Sequence, residues 1–94
     1  MKKIDEPKKQ AAIALKKAQT QIKNILVMLE EDKYCIEIMT QISAVNGLIK
    51  SASDNMLKNH MRTCFKDGMS SQNEEKKEEL IQEVLNVVSL NKKQ

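Results

Sequence analysis

The first third of the chain carries an apolar stripe with the period of an α-helix. Five apolar residues recur at alternating spacings of three and four: Leu15, Ala18, Ile22, Ile25 and Leu29. Such spacing places side chains on one helical face. Asp5 stands just before Glu6 and Pro7, which is typical of a helix start, because a capping acceptor there precedes a proline in the first turn. The pattern predicts a first helix at about residues 6–30.

A second apolar stripe follows after a short polar connection in which Asp32 is available as a cap. It consists of Cys35, Ile38, Ile42, Val45, Ile49, Ala52 and Met56. His60 and Cys64 continue the same line, one position off. The alternation of three and four is typical of helices that pack side by side, and it predicts one long helix at about residues 33–65.

The last third contains a loop signal and a shorter helix. Asp67-Gly68 marks a loop at residues 66–71, and Ser71 followed three residues later by Glu74 is a capping-box pattern. Apolar residues at helical spacing come next: Leu80, Ile81, Val84, Leu85 and Val88. We expect a third helix at about residues 72–90. The whole chain is then a single all-α domain, residues 1–94, a three-helix protomer with a long second helix.

Composition supports helices and indicates assembly. The chain has 94 residues, two glycines, one proline, one tyrosine, one phenylalanine and no tryptophan. A chain of this size has little apolar mass for a core of its own, so we expect it to associate with copies of itself. The net charge is +3, with lysines gathered in the first helix, where they could contact phosphates.

The chain shows no segment that would direct it to a membrane. No apolar run reaches the roughly 18 residues that a spanning helix needs, and the start of the sequence lacks the hydrophobic segment of a signal peptide. We therefore expect a cytoplasmic protein. In a reducing compartment the two cysteines are more often metal ligands, reactive thiols or buried fillers than a disulfide.

Three residues of the second predicted helix suggest a metal site. At about 100° and 1.5 Å per residue, Cys35, His60 and Cys64 fall within about 20° of one stripe, but Cys35 lies roughly 37 to 43 Å from the other two. One chain therefore cannot close the site. Two antiparallel chains can, because each end would join Cys35 of one chain to His60 and Cys64 of the other. Two thiolates and an imidazole suit Cu(I), with Zn(II) as the competitor.

Other interpretations of these residues remain open. The two cysteines could form an intersubunit disulfide or persulfide bridge, with His60 as a bystander. A single histidine or cysteine near an apolar stripe is often only a packed side chain, and the methionines at helical spacing are core fillers. The chain has no glycine-rich phosphate loop, no paired carboxylates at a cleft and one histidine for acid–base work. We therefore expect neither an enzyme nor a small-molecule substrate.

The residues around these ligands resemble a known family. The runs are Met28-Leu29-Glu30, Tyr34-Cys35, Gln41-Ile42-Ser43-Ala44-Val45, Asn59-His60-Met61 and Cys64-Phe65, with a weaker echo at Glu78-Glu79-Leu80-Ile81. Together they resemble the copper-sensing branch of the CsoR/RcnR metal-sensing repressor family. In the branch that senses sulfur species the histidine is absent, and the nickel and cobalt branches use further histidines that this chain lacks.

The resemblance implies an assembly, a ligand set and a function. The assembly is an antiparallel four-helix-bundle dimer, paired into a tetramer. Cys35, His60 and Cys64 would bind one Cu(I) per protomer, with Tyr34 and Glu79 connecting the metal to the third helix. The apo tetramer would hold operator DNA, and Cu(I) would release it.

The same comparison exposes departures in the first helix. The family usually has Arg-Leu-x-Arg-Ile-x-Gly-Gln where this chain has Ala14, Lys17 and Thr20 at the arginine and glycine positions. Because an arginine can grip two phosphate oxygens and a lysine cannot, DNA contact is in question at these positions. The remaining candidates for contact with DNA are Lys8, Lys9, Lys16, Lys17 and Lys23.

Three functions follow from these observations. The first is a Cu(I)-responsive repressor. The second is a cytosolic Cu(I) buffer or chaperone of the same fold that no longer reads DNA. The third is a thiol or persulfide sensor, which the presence of His60 disfavours.

Overall fold

The computed structural model describes residues 6–92. The described chain is all-helical. Its elements are α1 (Glu6–Glu30), α2 (Cys35–His60), a π-helical segment (Met61–Phe65), α3 (Lys66–Met69) and α4 (Glu74–Lys92). α2, the π segment and α3 follow one another without a break, so the described chain has three separate helical runs and no strand. The predicted cap Asp5 lies outside the described residues.

α1 and α2 form an antiparallel hairpin. Near the turn, Ile25 packs with Ile38; in the middle, Ala18 packs with Val45. Towards the start of α1, Ala11 and Ala14 pack with Ala52, and Leu48 contacts both groups. The small alanine side chains allow the two backbones to approach closely, but they bury little apolar surface.

The described chain is thin and elongated. Its Cα atoms extend over 59 × 27 × 13 Å, and many large apolar side chains of α1 and α2 are exposed. The few helices of one chain do not cover every side of α1 and α2. Consequently each apolar stripe has only part of its width inside the chain.

The predicted stripes are each divided between a buried and an exposed line. On α1, Ala18 and Ile25 are buried. On α2, Ile38, Val45 and Ala52 are buried. The intervening members are 41–55% exposed: Leu15, Ile22 and Leu29 on α1, and Ile42, Ile49 and Met56 on α2. Within each line the residues are seven apart. We call Ile42, Ile49 and Met56 the outer line of α2.

The turn between α1 and α2 differs from the sequence prediction. Asp32 has φ 58°, the left-handed conformation. Its N–H donates to the Leu29 carbonyl, and the Lys33 N–H donates to the Met28 carbonyl, which is the Schellman ending of a helix. Asp32 therefore terminates α1. The prediction that it caps α2 is wrong, because the N-cap of α2 is Tyr34, which makes no side-chain capping bond.

The start of α4 is also capped by a different residue from the one predicted. Asn73 Oδ1 accepts a hydrogen bond from the Lys76 N–H at 3.1 Å. Ser71 Oγ accepts one from the Asn73 N–H at 2.9 Å, so Ser71 shapes the approach to the helix and does not cap it. The predicted pairing of Ser71 with Glu74 is wrong because the asparagine lies closer to the first turn.

The predicted loop at residues 66–71 is helical in its first part. Residues 66–69 form α3, and Gly68 lies so close to α4 that a Cβ atom there would collide with Leu80 Cδ1. Leu80 is buried. Gly68 therefore serves close packing between α3 and α4, and the Asp67-Gly68 pair does not mark a flexible turn.

We expect Asp32→Gly to stabilise the fold by about 0.5–1 kcal/mol, because glycine adopts a positive φ without the steric cost that a Cβ imposes. Thermal unfolding at fixed protein concentration measures the effect. Asp32→Asn removes the charge at the end of α1 but keeps the Cβ, so it separates electrostatics from conformation. Glu31→Gly is the matched control; equal stabilisation there would contradict the explanation.

Candidate metal site

The three predicted donors lie at the ends of α2. Cys35 is its first residue and His60 its last, while Cys64 belongs to the π segment that follows. Both cysteines are free and exposed, and His60 is half-buried. A helix of 26 residues has a length of about 39 Å at 1.5 Å per residue. α2 therefore separates Cys35 from the other two donors.

A single chain does not assemble a metal site within residues 6–92. No three histidine, cysteine, aspartate or glutamate side chains there lie close enough together to hold an ion. His60 and Cys64 provide two donors at one end of α2, and Cys35 provides one at the other end. A complete three-donor site therefore needs one further donor beside His60 and Cys64, or two beside Cys35, from outside this chain.

The donors themselves fit a soft ion. Exposed thiols can be deprotonated and bind a metal without displacing core contacts, and two thiolates with one imidazole favour Cu(I) or Zn(II) over hard cations. Three donors leave Zn(II) one ligand short of its usual tetrahedral set, whereas Cu(I) needs no fourth donor. The donor set therefore fits Cu(I) better.

The π segment directly follows His60 and includes Cys64; its hydrogen bonds run from i to i+5 in place of i to i+4. The ring of Phe65, the last residue of this segment, lies 6.3 Å from the ring of His60, at an interplanar angle of 56°. Phe65 therefore packs beside the imidazole.

A groove next to His60 contains a carboxylate that sequence reasoning missed. Its volume is about 520 Å³, and His60, Met56 and Leu57 line it from α2 while Glu83, Val84 and Val87 line it from α4. Glu79, predicted to communicate with the metal, is exposed one turn before Glu83. The spacing of four between Glu79 and Glu83 was the available signal, since it puts both on one face of α4.

Tyr34 lies at the opposite end of the hairpin from His60. It immediately precedes Cys35 as the N-cap of α2, and its side chain is 69% exposed. Tyr34 lines a shallow groove with Met28 and Glu37. Within one chain it is therefore adjacent to one predicted ligand only. Tyr34 and His60 can meet only across two chains.

The five candidate DNA-contacting lysines do not share one face. Lys9, Lys16 and Lys23 are exposed and seven residues apart, so they form a line along α1. Lys8 is half-buried. Lys17 borders a separate polar groove between α1 and α2.

The polar groove is lined by Lys17, Thr20, Gln21, Asn24, Gln41, Ala44 and Leu48. Ala14, where the resembling family has arginine, is buried against Ala52. Position 14 therefore offers no polar group to a partner in this chain.

In residues 6–92 we find no helix whose length and apolar character would allow it to cross a membrane.

The chain is similar in sequence to several copper-sensing repressors. The chain is 46% identical over 59 residues to the copper-sensing transcriptional repressor CsoR of Mycobacterium ulcerans, an overlap of 62% of this chain and 50% of that protein. It is 44% identical over 50 residues to the copper-sensing transcriptional repressor RicR of Mycobacterium tuberculosis, an overlap of 53% of this chain and 52% of that protein. It is 35% identical over 69 residues to the copper-sensing transcriptional repressor CsoR of Bacillus subtilis, an overlap of 73% of this chain and 68% of that protein.

The chain spans about half the length of the mycobacterial relatives it matches. No solved structure matches it. The model of one protein family, described as metal-sensitive transcriptional repressor, matches residues 7–89. Because that match covers nearly the whole chain, the protein belongs to the metal-sensitive transcriptional repressor family.

Proposed function

We propose that this protein is a Cu(I)-responsive transcriptional repressor that releases operator DNA when it binds Cu(I). The observation that carries the proposal is the placement of three soft donors at the two ends of one helix whose outer line is exposed between them. The named relatives are copper-sensing repressors. They give no support to a copper buffer or a thiol sensor.

The metal site forms between two antiparallel chains. Cys35 of one chain joins His60 and Cys64 of the other, and the two-fold symmetry of the pair creates the same site at both ends. Each dimer therefore binds two Cu(I) ions, one per protomer. The outer lines of the two α2 helices pack against each other between the sites, together with the exposed line of α1, and complete a four-helix bundle.

Apolar contact supplies the affinity of this dimer. Each half-exposed leucine or isoleucine that becomes fully buried contributes roughly 1 kcal/mol, and each chain offers five such residues in the two exposed lines as well as Met56. Two copies double that number. Through association the chain gains the apolar core that its own alanine-rich hairpin does not provide.

Cu(I) controls DNA through the conformation of the bundle. Cu(I) weakens DNA binding if it binds more tightly to a conformation that DNA disfavours. The coupling is reciprocal: Cu(I) lowers the affinity for DNA by the same factor by which DNA lowers the affinity for Cu(I). Two elements next to the metal can change conformation when it binds. One is the π segment, and the other is α4, which shares with His60 the groove that contains Glu83. We assign Tyr34 and Glu79 to the same communication. Two dimers pair into the DNA-binding tetramer.

The lysine line of α1 supplies the phosphate contacts. Lys9, Lys16 and Lys23 are exposed along one line, and four copies in a tetramer provide many positive charges. Lys8 and Lys17 add charge on either side. Since lysine contacts phosphate as a point charge, affinity is strongly salt-dependent.

Mixing two inactive variants tests the shared site. Cys35→Ala and Cys64→Ala should each abolish tight Cu(I) binding, because every site in either homodimer lacks one thiolate. After joint refolding of equal amounts, half the dimers are mixed, and each mixed dimer has one complete site. Binding should therefore recover to about one quarter of the wild-type stoichiometry. Chelator competition measures it, and a mixture that remains inactive would contradict sharing between chains.

The apolar interface is tested by Ile49→Asp. The charge would be buried twice in each dimer, so the dissociation constant should rise by at least about a hundredfold. The isolated chain should remain helical, since Ile49 is 41% exposed in it. Asn46→Asp adds the same charge one turn earlier at an exposed position outside the line. Sedimentation equilibrium should show dissociation for the first variant only; equal behaviour of the two would exclude this interface.

DNA release is measured with the region upstream of the protein's own gene. Apo protein should bind this DNA more tightly than unrelated DNA of equal length, and Cu(I) should weaken the specific complex about 5- to 150-fold. Replacing Lys9, Lys16 and Lys23 by glutamine should weaken binding and flatten its salt dependence. The same change at Lys33, Lys50 and Lys76 is the control. Selective binding that Cu(I) leaves unchanged would exclude the repressor mechanism.

A further inference from the structure

Two segments of the helical hairpin, one near each end, carry opposite charge. Residues 30–37, at the turn, contain four carboxylates and one lysine; we call them the acidic segment. Its carboxylates are Glu30, Glu31, Asp32 and Glu37. Residues 58–66 contain three cations and no carboxylate; we call them the basic segment. Its cations are Lys58, Arg62 and Lys66, of which Arg62 is the only arginine of the chain.

The contacts of the hairpin place the two segments far apart. Ile25 and Ile38 pack together near the turn, which puts the acidic segment at that end. Ala11 packs with Ala52 towards the other end. The basic segment therefore lies beyond Ala52, near the first turns of α1, which begins at Glu6 and carries Lys8 and Lys9. α2 alone separates the segments by most of its length of about 39 Å. Neither segment can neutralise the other within one chain.

These charges are available to a partner. All seven charged side chains named in the two segments are exposed. Within the described residues, Lys58, Arg62 and Lys66 have no carboxylate at ion-pair distance. The acidic segment has one ion pair there, Glu31 with Lys33 at 3.9 Å, and both side chains of that pair are more than half exposed. An exposed pair at that distance holds its members weakly.

Only one orientation of a second copy brings unlike charges together. A parallel dimer would place acidic beside acidic segment and basic beside basic segment. An antiparallel dimer places the acidic segment of each chain against the basic segment of the other, at both ends. These are also the ends that carry Cys35 and the pair His60–Cys64.

We propose that the acidic and basic segments select the antiparallel orientation of a second copy of this chain, and so determine which donors meet. The inference rests on the dimer of the proposed function and adds the residues that orient it. Apolar burial provides the affinity, and the two charged ends discriminate against the parallel arrangement. Because the charges are exposed, salt screens them: the Debye length is about 10 Å at 0.1 M and about 3 Å at 1 M ionic strength.

Two charge-reversed chains test this selection. The first carries Glu31→Lys and Glu37→Lys, and the second carries Arg62→Glu and Lys66→Glu. Each homodimer then has like charges at both ends, and its dissociation constant at low salt should rise about tenfold or more. In a mixture the reversed acidic segment meets the reversed basic segment at one end, and the unchanged segments meet at the other. Random pairing of equal amounts of the two chains would make half of all dimers mixed. We expect the mixed fraction to be larger than one half.

Native mass spectrometry can count the three dimers, because the variants differ in mass. Titration at low and high salt follows the affinity, and circular dichroism verifies that each variant is helical. The control chain carries Lys16→Glu and Lys23→Glu, which changes the net charge by the same amount as the second variant, but in the middle of α1. The control should mix statistically with the wild type.

The outcomes separate this inference from the proposed function. Preferential mixing at low salt that disappears at high salt supports orientation by charge. Statistical mixing of the two reversed chains, with homodimers as tight as the wild type, overturns it. Recovery of Cu(I) binding by the mixed Cys35→Ala and Cys64→Ala chains would then leave the shared metal site standing. A wild-type chain that stays monomeric at both salt concentrations would overturn both.

Discussion

The length of α2 is the constraint on which the other features depend. A helix of 26 residues is a stiff spacer, and the donors stand at its two ends, so no side-chain movement can bring them together. Proteins usually gather metal ligands from neighbouring turns or adjacent loops. In the proposed function, the spacing of the donors makes metal binding depend on association, since the predicted ligand set is complete only where two chains overlap along the whole of α2.

The division of the apolar stripes shows how one sequence pattern can serve two neighbours. Alternation of three and four predicts a single broad face, and the structure divides it into two lines of period seven. One line, with Val45 and Ala52, packs on α1; the other, with Ile42 and Ile49, faces outward. A fully self-contained hairpin would need only the first line. The second is apolar surface that no helix of the described chain covers, and it is the surface that the proposed dimer buries.

The sequence predicted helix identity well, because periodicity reports how side chains are distributed around an axis. It failed at helix caps. Asp32 and Ser71 both have capping side chains, and their actual roles depend on backbone conformation that a local pattern does not specify. The π hydrogen bonding of residues 61–65 and the helix at residues 66–69 were also not predicted. At Gly68 the reason is its close approach to Leu80, which depends on the position of α4.

The candidate site was predictable in composition but not in local geometry. The donors stood out because the three residues shared a stripe, whereas no spacing rule indicated the π segment or the contact of His60 with Phe65. Glu83 was overlooked because sequence alone does not show which face of α4 turns towards α2. The ligand set itself stays a prediction, since its defining contact lies between two chains.

Affinity and orientation have different physical origins in the proposed dimer. Ile42, Ile49 and Met56 are similarly exposed and evenly spaced, so an apolar line of this kind packs almost equally well against a parallel or an antiparallel copy. Evenly distributed burial therefore cannot specify direction. Direction must come from features that differ between the two ends of the hairpin, such as the charge of residues 30–37 against 58–66 and the donors Cys35 against His60 and Cys64. Both favour the same antiparallel arrangement. In the proposed dimer the charges act before any metal arrives, so the donors are already in register and Cu(I) does not have to pay the entropy of bringing two chains together.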